Sequence, residues 1–175
     1  MDTKNKLADA LEQLMETKPL DSIFVTEIAR KAQVSKQTFY HHFEDKYALM
    51  EFCYERMAIP TFEKMNKYYP FSEGCRDLYK LYHNKETFMR NAFSSKDVNG
   101  LTEVMFRHVR QTYRHYLAAQ GVKDTGDIAF MLDLFTYGAT ILTKKWIERG
   151  MDTPDDELIR LWLKSLPAPL VPYFK

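Results

Sequence analysis

Residues 25–49, Val-Thr-Glu-Ile-Ala-Arg-Lys-Ala-Gln-Val-Ser-Lys-Gln-Thr-Phe-Tyr-His-His-Phe-Glu-Asp-Lys-Tyr-Ala-Leu, admit little other than two short helices joined by a tight turn and followed by the start of a third. Thr26 reads as the N-cap of the first, and Ile28, Ala29 and Ala32 give it an apolar stripe, with Ala29 small enough to let a partner helix approach. Val34 plugs the turn. Ser35 is placed to cap the second helix, and Phe39 and Phe43, four residues apart, bury one face of it. The other face carries Lys36, Gln37, Thr38, Tyr40, His41 and His42, side chains that reach phosphate oxygens or base edges when such a helix enters a major groove. The pattern is that of a helix-turn-helix that presents its second helix to double-stranded DNA.

Charge alone would not suggest this. The 175-residue chain has a net charge of only +1, and residues 1–47 hold seven Lys or Arg against eight Asp or Glu. The distribution is more telling: no acidic residue lies between Glu27 and Glu44, whereas Arg30, Lys31, Lys36 and two histidines do, so a local positive face is expected. With 45% apolar residues the chain can build a real core. Cys53 and Cys75 match no zinc spacing and are read as reduced, and no signal-peptide core or bilayer-length apolar run is present, so a cytoplasmic protein without a membrane partner is expected.

Helical periodicity runs through the rest. Leu7, Leu11, Leu14 and Met15 predict a first helix over about 4–17, stopped by Pro19. A new helix starts with Asp45 as N-cap and buries Leu49, Phe52, Cys53 and Met57, and Pro60 predicts a kink or break near 56–60. A loop is expected over 68–74, then short helices at about 75–83 and 85–93. Longer ones follow at about 100–120, ended by Gly121, and 125–149, the latter apolar over most of its circumference and ended by Gly150. Thr153, Pro154 and Glu157 read as a capping box opening a last helix filled by Leu158, Ile159, Leu161, Trp162 and Leu166. No strand-like alternation occurs. The expected fold is all-α, with a three-helix helix-turn-helix head at 1–47 and a helical regulatory and dimerisation domain at 48–175.

Ile28-Ala29, Ala32, Val34-Ser35, the run Thr38 to Phe43, Lys46 and Leu49 together resemble the N-terminal signature of TetR-type transcriptional regulators. One departure stands out: Gln33 occupies the place before Val34-Ser35 where that family usually has Gly, the residue that accepts φ > 0. The stretch Tyr137–Met151 with Thr153-Pro154 and the last helix is similar to the C-terminal region of the branch that includes dihydroxyacetone-kinase operon regulators. The two resemblances cover roughly the first 50 and the last 40 residues.

The resemblance implies a DNA-binding set of Thr26, Ser35, Lys36, Gln37, Thr38, Tyr40, His41, His42 and Lys46, with Thr26 and Lys46 on phosphates and His41 at a position that varies within the family. By their chemistry Gln37 can pair with adenine and Lys36 with guanine, while Thr38 can touch a thymine methyl. The resemblance further implies a homodimer built from the last two helices, with Phe135, Ile141, Leu142, Trp146, Leu158, Leu161 and Trp162 at its interface; an intramolecular hairpin core is the alternative. It implies an unknown small-molecule effector in a cavity among aromatics such as Phe62, Tyr82, Phe88, Phe106, Tyr113 and Phe130, each of which plain core packing explains equally well. His108, Arg110 and Arg114 are candidate polar groups there.

The function expected is that of a transcriptional repressor released from a palindromic operator by a small ligand, with a coactivator controlled by a protein partner as the alternative. No cofactor or metal is called for. An enzyme is disfavoured because His83, His108 and His115 form no i, i+4 metal pair, no Gly-rich phosphate loop is present, and neither cysteine has an activating neighbour in sequence.

Overall fold

The computed structural model describes residues 2–67, 70–98 and 100–174, and every regular element among them is helical. In chain order these are α1 (Thr3–Met15), α2 (Val25–Lys31), α3 (Lys36–His42), α4 (Lys46–Lys67), α5 (Phe71–Asn84), α6 (Glu86–Phe93), α7 (Leu101–Ala119), α8 (Asp127–Glu148) and α9 (Asp155–Ser165), with 3-10 turns at Leu20–Ser22 and Val171–Tyr173. The all-α expectation holds. Tyr68 and Tyr69, the start of the expected loop, lie outside the described residues. Residues 71–74, expected in that loop, instead form the first turn of α5, which buries Phe71 and Gly74.

Packing divides the chain into two units, Met1–Met57 with Lys85–Val104, and Ala58–Asn84 with Met105–Lys175. In the first unit α1 packs on α2 and α6, and α2 on α3. Leu7, Leu11 and Met15 of α1 are fully buried with Leu20, Ile23, Ile28 and Phe39, and α6 adds Phe88, Met89, Ala92 and Phe93. Polar contacts tie α6 and the segment after it into this unit: Asn91 Nδ2 donates to the Met15 carbonyl (2.6 Å), Lys85 pairs with Glu12 (2.9 Å), and Ser95 Oγ donates to Asp21 (2.6 Å). In the second unit α5 packs on α9, and Phe71, Tyr113, Tyr116 and Phe174 form an aromatic cluster that receives the C-terminal segment.

The expected break at Pro60 does not form. α4 is one helix of 22 residues with Pro60 inside it. The ring's fixed φ is compatible with a helix, so proline here leaves one ladder bond unmade without ending the helix. Two cap assignments also change. Helix α2 begins at Val25 with Phe24 as N-cap, so Thr26 sits inside the first turn, and Glu27 reaches back to accept the Phe24 N–H (2.9 Å). Helix α9 begins at Asp155 after Pro154, and the Thr153 hydroxyl contacts Asp152 instead of capping the helix.

Three helices end alike, each with an N–H reaching back five residues: Val34 to Ala29, Val122 to Leu117 and Met151 to Trp146. This arrangement needs a left-handed residue just past the helix. Gly121 (φ 82°) and Gly150 (φ 81°) supply it at two of the ends, whereas Gln33 (φ 57°) does so at the turn between α2 and α3. A side chain there is strained relative to glycine. Gln33→Gly is therefore expected to stabilise the protein by ~0.5–1 kcal/mol, raising the melting temperature by about 2 °C in a thermal denaturation scan, with DNA binding retained.

Candidate nucleic-acid interface

Helix α3 is positioned from within. Ser35 Oγ accepts the Thr38 N–H (2.9 Å), as its place before the helix predicted. Phe39 is fully buried and stands 6.2 Å, ring to ring, from the nearly buried Phe43, which in turn packs on Phe52 of α4 (5.5 Å). With those rings inward, Lys36, Gln37, Tyr40 and His41 are exposed, while Thr38 and His42 are half-buried. Lys36 Nζ lies 5.6 Å from the Tyr40 ring centroid, a cation–π contact that holds the two side chains together on the outer face of the helix. The Thr38 hydroxyl is engaged with Ser35 Oγ (2.8 Å).

Arg30 and Lys31, at the end of α2, are exposed beside this helix in sequence and extend the positive character that the residue types predicted. Glu27, which bounds the acid-free stretch, is tied to the Lys18 ammonium (2.6 Å), and that contact holds its carboxyl below the usual range. Thr26 is exposed in the first turn of α2.

Lys46 has a different setting. Its ammonium donates to three backbone carbonyls, of Leu20 (2.9 Å), Asp21 (3.0 Å) and Ile23 (2.9 Å). Those bonds take all three of its protons and fasten the start of α4 to the 3-10 turn that precedes α2. Asp45 completes the joint by accepting the N–H groups of Tyr47 and Ala48, both at 2.8 Å. Nothing in the local sequence signals this anchoring, because the carbonyls lie 23–26 residues upstream.

The second unit holds a small, partly open cavity of about 30 Å³, lined by Phe62, Cys75, Leu78, Tyr79, Met105, Val109, Tyr113, Ala139, Thr140, Thr143 and Trp162. Of the aromatics singled out as pocket candidates, Phe62 and Tyr113 line it. Tyr82 is buried on α5 away from the lining, Phe106 is half-buried against Tyr137 (5.3 Å), Phe130 is 71% exposed, and Phe88 is core of the first unit. Arg110 and Arg114 are held by Asp133 and Asp124 and do not line it. Cys75, at the wall, has its thiol pushed up to about 12 by burial, and burial raises the Cys53 thiol as well, so both stay protonated near neutral pH.

Helix α8 is inverted in polarity. Its inward face is Leu132, Thr136, Thr140, Thr143, Trp146 and Ile147, whereas Phe130 (71% exposed), Leu134 (67%) and Tyr137 (52%) point to solvent at helical spacing. Of the residues expected at a dimer interface, Leu142 (50%) and Leu161 (40%) are exposed, and Phe135 and Ile141 are half-buried. Trp146, Leu158 and Trp162 are buried within the single chain; the Trp146 indole donates to the Thr153 carbonyl (2.9 Å) and packs on Tyr79. Phe130, Leu134 and Tyr137 were not singled out for this face from sequence. The signal that could have found them is the threonine spacing at 136, 140 and 143, which marks the opposite side of the helix.

No curated protein matches the chain. Among solved structures it is similar to the dihydroxyacetone kinase operon activator DhaS, at 18% identity over 94% of this chain and 96% of that one, with a TM-score of 0.65. It is also similar to a TetR-family transcriptional regulator from Streptomyces coelicolor (18% identity, 92% and 79% covered, TM-score 0.62). A third likeness is to the transcriptional regulator FadR from Bacillus subtilis, solved in complex with stearoyl-CoA (14% identity, 95% and 96% covered, TM-score 0.56). Residues 7–52 match the profile of the bacterial regulatory proteins of the tetR family, and residues 71–167, more than half of the chain, match the transcriptional regulator C-terminal region of that family. The capped and buried α3 and the helical second unit thus carry one assignment: the chain belongs to the TetR family of transcriptional regulators.

Proposed function

We propose that the protein is a homodimeric repressor that binds a palindromic operator through α3 and leaves it when a small molecule enters the second unit. The observation that carries the DNA contact is α3 itself: its aromatic face is buried, its outer face presents Lys36, Gln37, Tyr40 and His41, and no acidic residue lies between Glu27 and Glu44. Thr26 adds a hydroxyl at the start of α2, Ser35 sets the entry angle of α3, and His42 and Thr38 flank the groove-facing residues. Lys46 serves here by fixing the joint, with any phosphate contact secondary to its three carbonyls. Two-fold symmetry would space two such helices one turn of DNA apart, ~34 Å.

The dimer reading rests on the inverted α8. A lone helix that turns Phe130, Leu134 and Tyr137 outward while burying three threonines exposes apolar surface that a second copy would cover. Gly138 adjoins this stripe, and a side chain there would meet nothing within 4 Å, which leaves room for a partner backbone.

Helix α4 carries Lys46 at one end and the cavity residue Phe62 further along, so it is the covalent route by which occupancy of the cavity can bias the head between two populations. The size of the cavity favours a second reading. At about 30 Å³ it falls far below the ~300–1,000 Å³ typical of ligand pockets, so control by a protein partner in place of a bound ligand is the competing mechanism.

The experiment is fluorescence anisotropy of the full chain on fragments from upstream of its own gene at physiological salt. Tyr40→Ala is expected to weaken binding about tenfold on every sequence, and Gln37→Ala to change preference at one base pair by ~1–3 kcal/mol. Equal affinity of both variants and the parent would remove α3 as the reading surface. Tight binding that appears only with a second protein would establish the partner-controlled mechanism instead.

A further inference from the structure

One cation of the first unit lies outside the residues that the helix-turn-helix pattern singles out. Lys4, in the first turn of α1, is exposed, and its Nζ stands 5.9 Å from the centroid of the Phe43 ring. Phe43 follows the last residue of α3, is nearly buried, and is in ring contact with Phe39 and Phe52. A cation–π contact of this kind fixes an α1 ammonium beside the C-terminal end of α3. Other lysines of the same unit are discharged by acids, Lys18 by Glu27 and Lys85 by Glu12, whereas Lys4 has no carboxylate within ion-pair distance among the described residues. Its charge is held in place and left available to an anion from outside the chain.

We infer that Lys4 is a further DNA contact, a positioning residue of α1 that seats its ammonium on a backbone phosphate at the C-terminal end of α3 and so fixes the tilt of that helix in the major groove. The inference rests on the reading of α3 as the DNA-facing helix and adds a residue from outside it. The one lysine of α3 itself, Lys36, is at its first position, so Lys36 and Lys4 stand at opposite ends of a seven-residue helix, about 10 Å long. A recognition helix puts its N-terminal residues on base edges, and its far end rises toward the rim of the groove, where the sugar-phosphate backbone runs. Base edges lie about 8.5 Å below that rim, beyond an ammonium held against Phe43, so a phosphate oxygen is the group Lys4 meets. Lys6 carries the same charge two residues on, about 200° round α1. It lines a separate groove with Asp9, Lys31 and Gln33, and so has no part in this contact.

The test follows fluorescence anisotropy of duplex fragments from upstream of the protein's own gene, with the full chain, as salt is raised from about 50 to about 200 mM. Lys4→Gln is expected to make the fall of log affinity with log salt shallower by about 0.9 for each bound head. Its deficit against the parent, again for each head, is about tenfold at the low end of that range and about threefold at the high end. Lys4→Arg is expected to restore slope and affinity, and Lys6→Gln, which removes the same charge from the same helix, to leave both unchanged. Weaker binding by Lys4→Gln with the parent's slope would make Lys4 a cover for Phe43 alone and overturns the contact. An equal loss in Lys6→Gln overturns it too, because the effect would then be one of net charge. Tyr40→Ala separates the two levels of the argument. Binding that this variant leaves unweakened removes α3 as the DNA-facing helix and the Lys4 contact with it, whereas Tyr40-dependent binding with one slope for the parent and Lys4→Gln overturns the Lys4 contact alone.

Discussion

Replacing Lys46 with alanine is expected to lower the stability of the protein by ~2–3 kcal/mol, a fall in melting temperature of about 5–10 °C in a calorimetric scan. The ammonium donates to three carbonyls at 2.9–3.0 Å, and its removal leaves two partly buried acceptors, of Leu20 and Ile23, and the exposed one of Asp21 without their charged donor. Lys46→Met keeps the apolar stem and isolates the loss of the hydrogen bonds, so it should reproduce most of the fall. A residue whose main role was on a phosphate would behave otherwise: the melting temperature would hold, and the salt dependence of operator binding would drop by about one contact. An unchanged melting temperature together with a shallower salt slope would therefore return Lys46 to the DNA.

Leu134→Asp is expected to split the proposed dimer. Leu134 is 67% exposed in the single chain, so the charge costs the monomer fold little, but two-fold symmetry would put a pair of carboxylates into an apolar contact at a cost of several kcal/mol. Sedimentation at micromolar concentration should show a species of 20.7 kDa in place of one twice that mass. Operator affinity should fall by more than about 100-fold, because each head then binds one half-site alone. Phe130→Asp should act the same way. Unchanged mass in both variants would show that this stripe is not where the copies meet.

What the sequence disclosed and what it withheld divide along the range of the interactions. Ser35 as a cap and Phe39 with Phe43 as the buried face of α3 were legible because each depends on neighbours within four residues. The left-handed Gln33 was legible through the resemblance, which places glycine at that position of the turn. The roles of Lys46 and of α6 were not: carbonyls 23–26 residues upstream and contacts such as Asn91 to Met15 arise only when distant segments meet. In α8 the apolar count was right and the direction was hidden. Periodicity ranks residues by hydrophobicity, so a helix that buries Thr136, Thr140 and Thr143 and turns Phe130 and Leu134 outward reads as apolar all round. Threonine can bury because its hydroxyl bonds back to the helix, as Thr136 does.

The first compact unit is assembled from two separate stretches of chain, 1–57 and 85–104, and this bears on how such regulators are rewired. The simplest way to exchange heads and redirect a regulator to a new promoter is a single splice after the recognition helix. Here that splice would leave behind Lys85, Asn91 and Ser95, the partners of Glu12, Met15 and Asp21, and the apolar residues Phe88, Met89, Ala92 and Phe93 that cover the same unit. A chimera that keeps its head intact must therefore transplant both segments, and the transplanted surface of α6 becomes part of the specification for any new host.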